Sequence, residues 1–174
     1  DMVSWHLSGE IISDKGYGEH LNGLNSGLFK DEFKSKSGIS NVKTLNCLVS
    51  VLAGVAARNR GWNEALMMNT NGAIIESSSS NLFIRKGNSF TTPPLSDGCL
   101  DGVMRKNVIK LLMQNGIDFT EKSLGEKDVF AADEILLTNA IAGVRWIENY
   151  EGKKYENMYS AKINDWLNEL TKLS

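Results

Sequence analysis

Histidine and cysteine are scarce in this chain of 174 residues, with two of each, and both scarcities remove classes of function. His6, His20, Cys47 and Cys99 lack the close spacing of a metal-ligand set, and the two cysteines lie fifty-two positions apart. Two cysteines also make no disulfide framework, and the pattern predicts two reduced core thiols in a cytoplasmic protein. No apolar run approaches the length of a membrane span, and the N-terminus carries no signal-peptide pattern. A cluster of basic charge is missing as well: 19 basic and 21 acidic residues give a net charge of -2, which argues against a nucleic-acid partner. There is no Gly-x-Ser-x-Gly elbow, and no histidine stands near the serine run at 77–80, so a serine hydrolase is disfavoured.

What is present reads as one domain of mixed helix and strand. The chain does not begin with methionine, and DMVSWHLSGEII opens directly into strand-favouring sequence (Met2, Val3, Trp5, Leu7), which suggests a missing natural start. A stretch with four glycines, GYGEHLNGLNSG, and an alternating LFKDEFKSK follow; His6 and His20 fall in this region and read as surface or turn residues. From Leu45 the period becomes helical through Leu48, Val49, Leu52, Ala53 and Ala56, with Thr44 and Asn46 near the start and Gly61 as the stop. EALMMNT and AIIE flank the hairpin pair Asn71-Gly72. LFIRK, a turn at Gly87-Asn88 and SFTT up to Pro93-Pro94 continue the strands. A helix begins at Val103 behind Gly102, with Asp101 available as a cap, and stops at Gly116. IDFTEKSL and ADEILLTNAIAGVRWIENY supply more strand, and Tyr159 to Leu173 forms a last amphipathic helix. Hairpins separated from helices argue for an α+β fold.

Four features could carry chemistry. Glu76 ends an apolar strand, where an unaided carboxylate would ordinarily be solvated. Gly102 leads a helix whose first amides, those of Val103 and Met104, could seat a phosphate at the positive end of the dipole. TNAIAG at 138–143 is a second small-residue turn able to aim amides at the same anion. Lys43 stands at the start of the first helix, where a cation faces the unfavourable dipole end; a lysine in a pocket can act as a nucleophile toward carbonyls. An amine, a carboxylate and two anion-seating turns together meet the needs of pyridoxal phosphate.

The same residues carry a resemblance. Glu76-x-Ser78-x-x-Asn81-Leu82-Phe83, then Phe90-x-Thr92, then Leu100-x-Gly102-Val103-x-Arg105 resembles the signature of the class IV, or fold-type IV, pyridoxal-phosphate enzymes. That group holds the branched-chain and D-amino acid aminotransferases and aminodeoxychorismate lyase. Val42-Lys43-Thr44-Leu45-Asn46, its lysine thirty-three positions before Glu76, is similar to the segment around the family's Schiff-base lysine. Ala132-Asp133-Glu134 with Leu137-Thr138-Asn139-Ala140 is similar to a later strand and phosphate turn, so the resemblance covers roughly residues 25 to 150.

The resemblance implies the large C-terminal domain of fold-type IV enzymes, a strand-rich pseudo-barrel with flanking helices, over residues 23–174. Residues 1–22 would be a remnant of the small N-terminal domain, or a linker, with that domain mostly absent. It implies pyridoxal 5'-phosphate attached to Lys43, which would also be the acid-base catalyst. Glu76 would hold the pyridine nitrogen protonated, Leu100 would pack on the ring, and the backbones of Val103, Met104, Asn139, Ala140 and Ile141 would hold the phosphate, with Ser78 and Ser80 lining the surroundings. The implied activity is amino-group transfer between an amino acid and a 2-oxo acid in a homodimer. Release of 4-aminobenzoate and pyruvate from aminodeoxychorismate is the alternative within the family, to which ADEILLTNAIAGVRW leans slightly; a non-catalytic truncated domain is a further one. Two departures stand out. Only forty-two residues precede Lys43, against about a hundred expected of the small domain, and the phosphate-binding arginine of that domain cannot be located among them; Met104 stands where many members carry threonine.

Overall fold

Adjacent apolar residues belong to opposite layers in this chain and residues two apart share one, and that alternation builds a closed ring of strands with helices outside it. Leu66 and Met68, Leu82 and Ile84, and Ile135 and Leu137 all turn into one core cluster. The residues between them turn outward: Met67 joins Phe29, Ala53, Ala57 and Ala65, while Phe83 and Leu136 join Met104, Val108, Leu112 and Ile163. Both faces of these strands are therefore buried, which explains runs as uniformly apolar as ALMM and ILL. Each fully buried Leu, Met or Phe contributes roughly 1.5–3 kcal/mol.

The computed structural model describes residues 7–9 and 16–172. In chain order these comprise β1 (Leu24–Lys34), α1 (Leu48–Asn59), β2 (Glu64–Asn69), β3 (Ile74–Ser77), β4 (Asn81–Lys86), β5 (Ser89–Thr92), α2 (Val103–Gln114), β6 (Asp118–Glu121), α3 (Glu126–Ala131), β7 (Glu134–Asn139), β8 (Gly143–Tyr150), β9 (Lys153–Lys154) and α4 (Ser160–Lys172). The strands run β3-β2-β1-β8-β7-β4, and β4 returns to β3 through the pair Glu76 and Asn81, closing a six-membered ring. β5 and β6 extend it from β4, and β9 pairs with β8. The expected α+β fold and strand-rich pseudo-barrel with flanking helices are what the chain adopts.

Boundaries differ from the sequence expectation at several places. α1 begins at Leu48 rather than Leu45, with Cys47 at its N-cap and no side-chain cap bond, so Thr44 and Asn46 stay in the preceding loop. Cys47 is exposed there, and only Cys99 is the buried thiol expected of both. Asp101 does not cap α2; its carboxylate pairs with Lys106 at 2.7 Å, and Gly102 holds the N-cap position in extended conformation. Met2, Val3, Trp5 and His6 lie outside the described residues. His20 is half-buried rather than free at the surface, its Nε2 2.8 Å from the Ala142 carbonyl oxygen. Asn71-Gly72 makes the expected hairpin, with Gly72 at φ 83°.

Candidate active site

Glu76 reaches its position through a β-bulge. Opposite β3, Met68 pairs with Ile74 and Met67 with Glu76, so Ile75 is an extra residue between them. Without the bulge, strict alternation from Ile74 would aim Glu76 into the apolar ring; with it, Glu76 shares the outward face of Met67 and Asn81. There it is only 5% exposed. A buried carboxylate needs donors, and Glu76 has two: the Lys34 ammonium at 2.6 Å from Oε1 and the Leu100 amide at 2.7 Å from Oε2. Lys34 comes from the far end of β1, where a register shift after Phe29 sets it opposite Asn69.

The Leu100 segment is fixed from both sides. The Asn41 side chain donates to the carbonyls of Leu95 and Cys99, and the Asp101 amide donates back to the Asn41 carbonyl at 3.0 Å. Asn69 holds the same loop through the Asp97 carbonyl at 2.9 Å. These bonds bring the loop of Lys43, two residues past Asn41, against the loop of Leu100. Lys43 itself is exposed and has no hydrogen-bond or ion-pair partner among the described residues. The structure thus brings Glu76 and Leu100 together directly, and Lys43 joins them through its loop alone.

Two residues after Leu100 the chain enters α2. A Cβ on Gly102 would run into Asn81 Oδ1, whose amide group donates to the Leu100 carbonyl at 2.8 Å, so a side chain at 102 would displace Asn81 from this bond. No side chain caps α2, which leaves the first amides, those of exposed Val103 and buried Met104, open at the positive end of the helix dipole. Arg105 is not a free cation beside this end. It is buried, donates to the Pro93 carbonyl at 2.9 Å and pairs with Glu121 at 3.1 Å.

The second turn is closed on itself. Asn139 Oδ1 accepts the amides of Ile141 and Ala142 at 3.0 and 2.8 Å, occupying donors that an anion would use. Ala140 and Ile141 are exposed, and the Asn139 amide group donates to Ser80 Oγ at 2.9 Å. Tyr17 links the two turns, its hydroxyl 3.1 Å from the Ala140 carbonyl and 3.7 Å from Met104 Sδ. Neither Tyr17 nor Lys34 was legible as a site residue. Lys34 sits in LFKDEFKSK, where nothing separates it from Lys30 or Lys36, and Tyr17 lies in a glycine-rich stretch without a period.

Residues 20–150 match the family described as "Amino-transferase class IV". The chain belongs to the class IV aminotransferases. It is 34% identical over 128 residues to a Methanocaldococcus jannaschii protein provisionally named a branched-chain-amino-acid aminotransferase, covering 74% of this chain and 44% of that one. The branched-chain aminotransferase structure of Escherichia coli superimposes with a TM-score of 0.80 at 25% identity, over 85% of this chain and 52% of that one. A Legionella pneumophila structure provisionally named a 4-amino-4-deoxychorismate lyase gives 0.79 at 26% identity, over 91% and 59%. The chain therefore spans about half the length of these relatives.

Within this class IV aminotransferase chain the serine run is wired rather than loose. Ser78 and Ser79 both donate to the Glu64 carboxylate, and Ser77 Oγ and the Ser80 carbonyl fold the run into a tight turn. Ser78 is thus engaged with Glu64, while Ser80 reaches Asn139. A buried carboxylate holding two hydrogen bonds, an uncapped helix entered through a close-packed glycine, and an uncommitted lysine on the adjoining loop fit a planar cationic ring bearing a phosphate. No helix among the described residues is long and apolar enough to cross a membrane.

Proposed function

We propose that residues 23–174 form the cofactor-holding part of a pyridoxal-phosphate enzyme that transfers an amino group between an amino acid and a 2-oxo acid. One observation carries this reading. The three residues Leu100–Gly102 join the two ends of the candidate site: the Leu100 amide fixes Glu76, and Gly102 opens the uncapped α2. A ligand spanning them meets a carboxylate at one end and helix amides at the other.

Pyridoxal phosphate, when bound, supplies a carbonyl carbon for covalent attachment of amines and an electron-withdrawing ring. The chain's residues supply the rest. Glu76 is paired with Lys34 as a carboxylate, and each oxygen keeps a lone pair free to accept a ring N–H. The amides of Val103 and Met104 would bind phosphate with the help of the α2 dipole. Asn139, Ala140 and Ile141 would add to that seat once the Asn139 carboxamide yields the Ile141 amide. Leu100 would cover the ring, with Ser78 and Ser80 held behind it. Lys43 would attach the cofactor and move the proton at the substrate's α-carbon; unlike Lys34 it is not already tied in an ion pair. The small molecules acted on are amino acids and 2-oxo acids, and we infer a cytoplasmic protein without a nucleic-acid partner on the composition.

A second reading is the lyase, which yields 4-aminobenzoate and pyruvate from aminodeoxychorismate. The match to the Legionella chain over 91% of this one favours it. The test is to load the protein with pyridoxal phosphate and offer amino acid and 2-oxo acid pairs, then aminodeoxychorismate. Transfer of label to the 2-oxo acid supports the first reading, and pyruvate with an aromatic amine supports the second. Cofactor binding with neither activity leaves the non-catalytic domain.

A further inference from the structure

We propose that Lys34 is the positioning residue of Glu76: its ammonium holds the carboxylate aimed so that it can receive the cofactor's ring nitrogen. The inference rests on the function proposed above, and it assigns a role to a residue outside the family signature.

Three observations converge. The pair is tight and shielded, with Lys34 Nζ 2.6 Å from Glu76 Oε1 and side-chain exposures of 19% and 7%. A carboxylate taken this far out of water is unstable as an anion unless a cation and further donors compensate it. Second, the two donors act on different oxygens, Lys34 on Oε1 and the Leu100 amide on Oε2, so the carboxylate plane is fixed rather than free to rotate. A carboxylate has about four lone-pair sites, and two remain for a ring N–H. Third, two independent irregularities bring the partners together. The extra residue Ile75 turns Glu76 outward, and the shift between Phe29 and Lys34 carries Lys34 to the same face, opposite Asn69. Lys36, two residues on, goes instead to Asp97 at 3.6 Å, so Lys34 is the cation of β1 that serves Glu76.

A merely structural ion pair predicts something different from a positioning one. Replacing both partners by neutral groups relieves the buried charge and restores the fold in either case. The double variant lacks the Glu76 carboxylate and so lacks the ring nitrogen's partner on either reading; only the positioning role requires a cation at position 34 for cofactor binding while Glu76 is kept. The experiment uses the full chain with Lys34→Met, Lys34→Arg and the double variant Lys34→Met with Glu76→Gln. The thermal midpoint is measured without cofactor, and the dissociation constant for pyridoxal phosphate by tryptophan fluorescence. Lys34→Met should lower the midpoint and weaken cofactor binding about tenfold or more. Lys34→Arg should regain most of both, and the double variant should regain the midpoint alone. Wild-type affinity in Lys34→Met would overturn the inference while leaving the proposed function standing. A wild-type chain that binds no pyridoxal phosphate overturns that function, and the inference with it.

Discussion

At position 102 glycine is required by contact, since its backbone is extended and any residue could adopt it. The obstacle is Asn81, whose side chain would have to leave the Leu100 carbonyl to admit a methyl group. Gly102→Ala is therefore expected to cost about 1–3 kcal/mol in urea unfolding, with weaker pyridoxal phosphate binding because the same turn opens α2. A second residue-scale expectation concerns the thiols. Burial pushes the Cys99 thiol up to about 11, whereas Cys47 lies exposed at the start of α1. An aromatic disulfide reagent at pH 8 should label Cys47 in the folded protein and reach Cys99 only after unfolding; fast labelling of both would contradict the packing around residue 99. Glu76 and Gly102 were legible in the sequence because each is odd in its place, a carboxylate on an apolar strand and a glycine before a helix. Lys34 was not, because a lysine on an alternating strand looks solvated until the register of two other strands is known. Tyr17 was hidden for a similar reason, its partners Ala140 and Met104 being far away along the chain.

Among the elements, α4 is tied to the sheet by a buried cluster that the sequence pattern did not reveal. Arg85 on β4 donates through Nε to Glu134 on β7 at 2.8 Å, and the other Glu134 oxygen accepts the amides of Met158 and Tyr159 just before α4. Desolvation works against the Arg85 charge, yet the hydrogen bonds it donates to Glu134 and Glu156 carry the guanidinium above its ordinary value. Glu134→Ala leaves that guanidinium buried beside a lost partner and should cost about 3–5 kcal/mol in denaturant unfolding. Glu156→Ala, removing a 65% exposed partner, should cost no more than about 1 kcal/mol. Equal losses from the two would show that burial does not rank these bonds. Most strands and helices followed from period and turn chemistry, including β2 to β5 and α2. The six-residue α3 escaped because it is too short to show a period, and the start of α1 moved because its loop is held by Asn41 rather than by a cap. The bulge at Ile75 could not be read at all, since IIES alternates as well without it.

For the whole molecule, closure of the ring at Glu76 and Asn81 explains why the site sits where it does: the strand pair that seals the barrel also bears the carboxylate and the residue that crowds Gly102. Among the described residues, α1 carries an uncovered apolar surface. Leu48, Val51, Leu52 and Val55 form an exposed stripe along α1, from 64% exposed at Leu48 to 37% at Val55. Its spacing of three and four residues suits helix packing, and we infer that a second copy covers it in a homodimer. Sedimentation should give twice the chain mass for the wild type and the single chain mass for Val51→Glu; a monomeric wild type would refute the dimer. We infer that this fold presents Lys43 to pyridoxal phosphate while Lys34 stays bound to Glu76. The most direct test is to mix the chain with pyridoxal phosphate, reduce with borohydride and map the pyridoxyl group by peptide mass. The label is expected on Lys43; a label on Lys34, or on no lysine, would contradict the account.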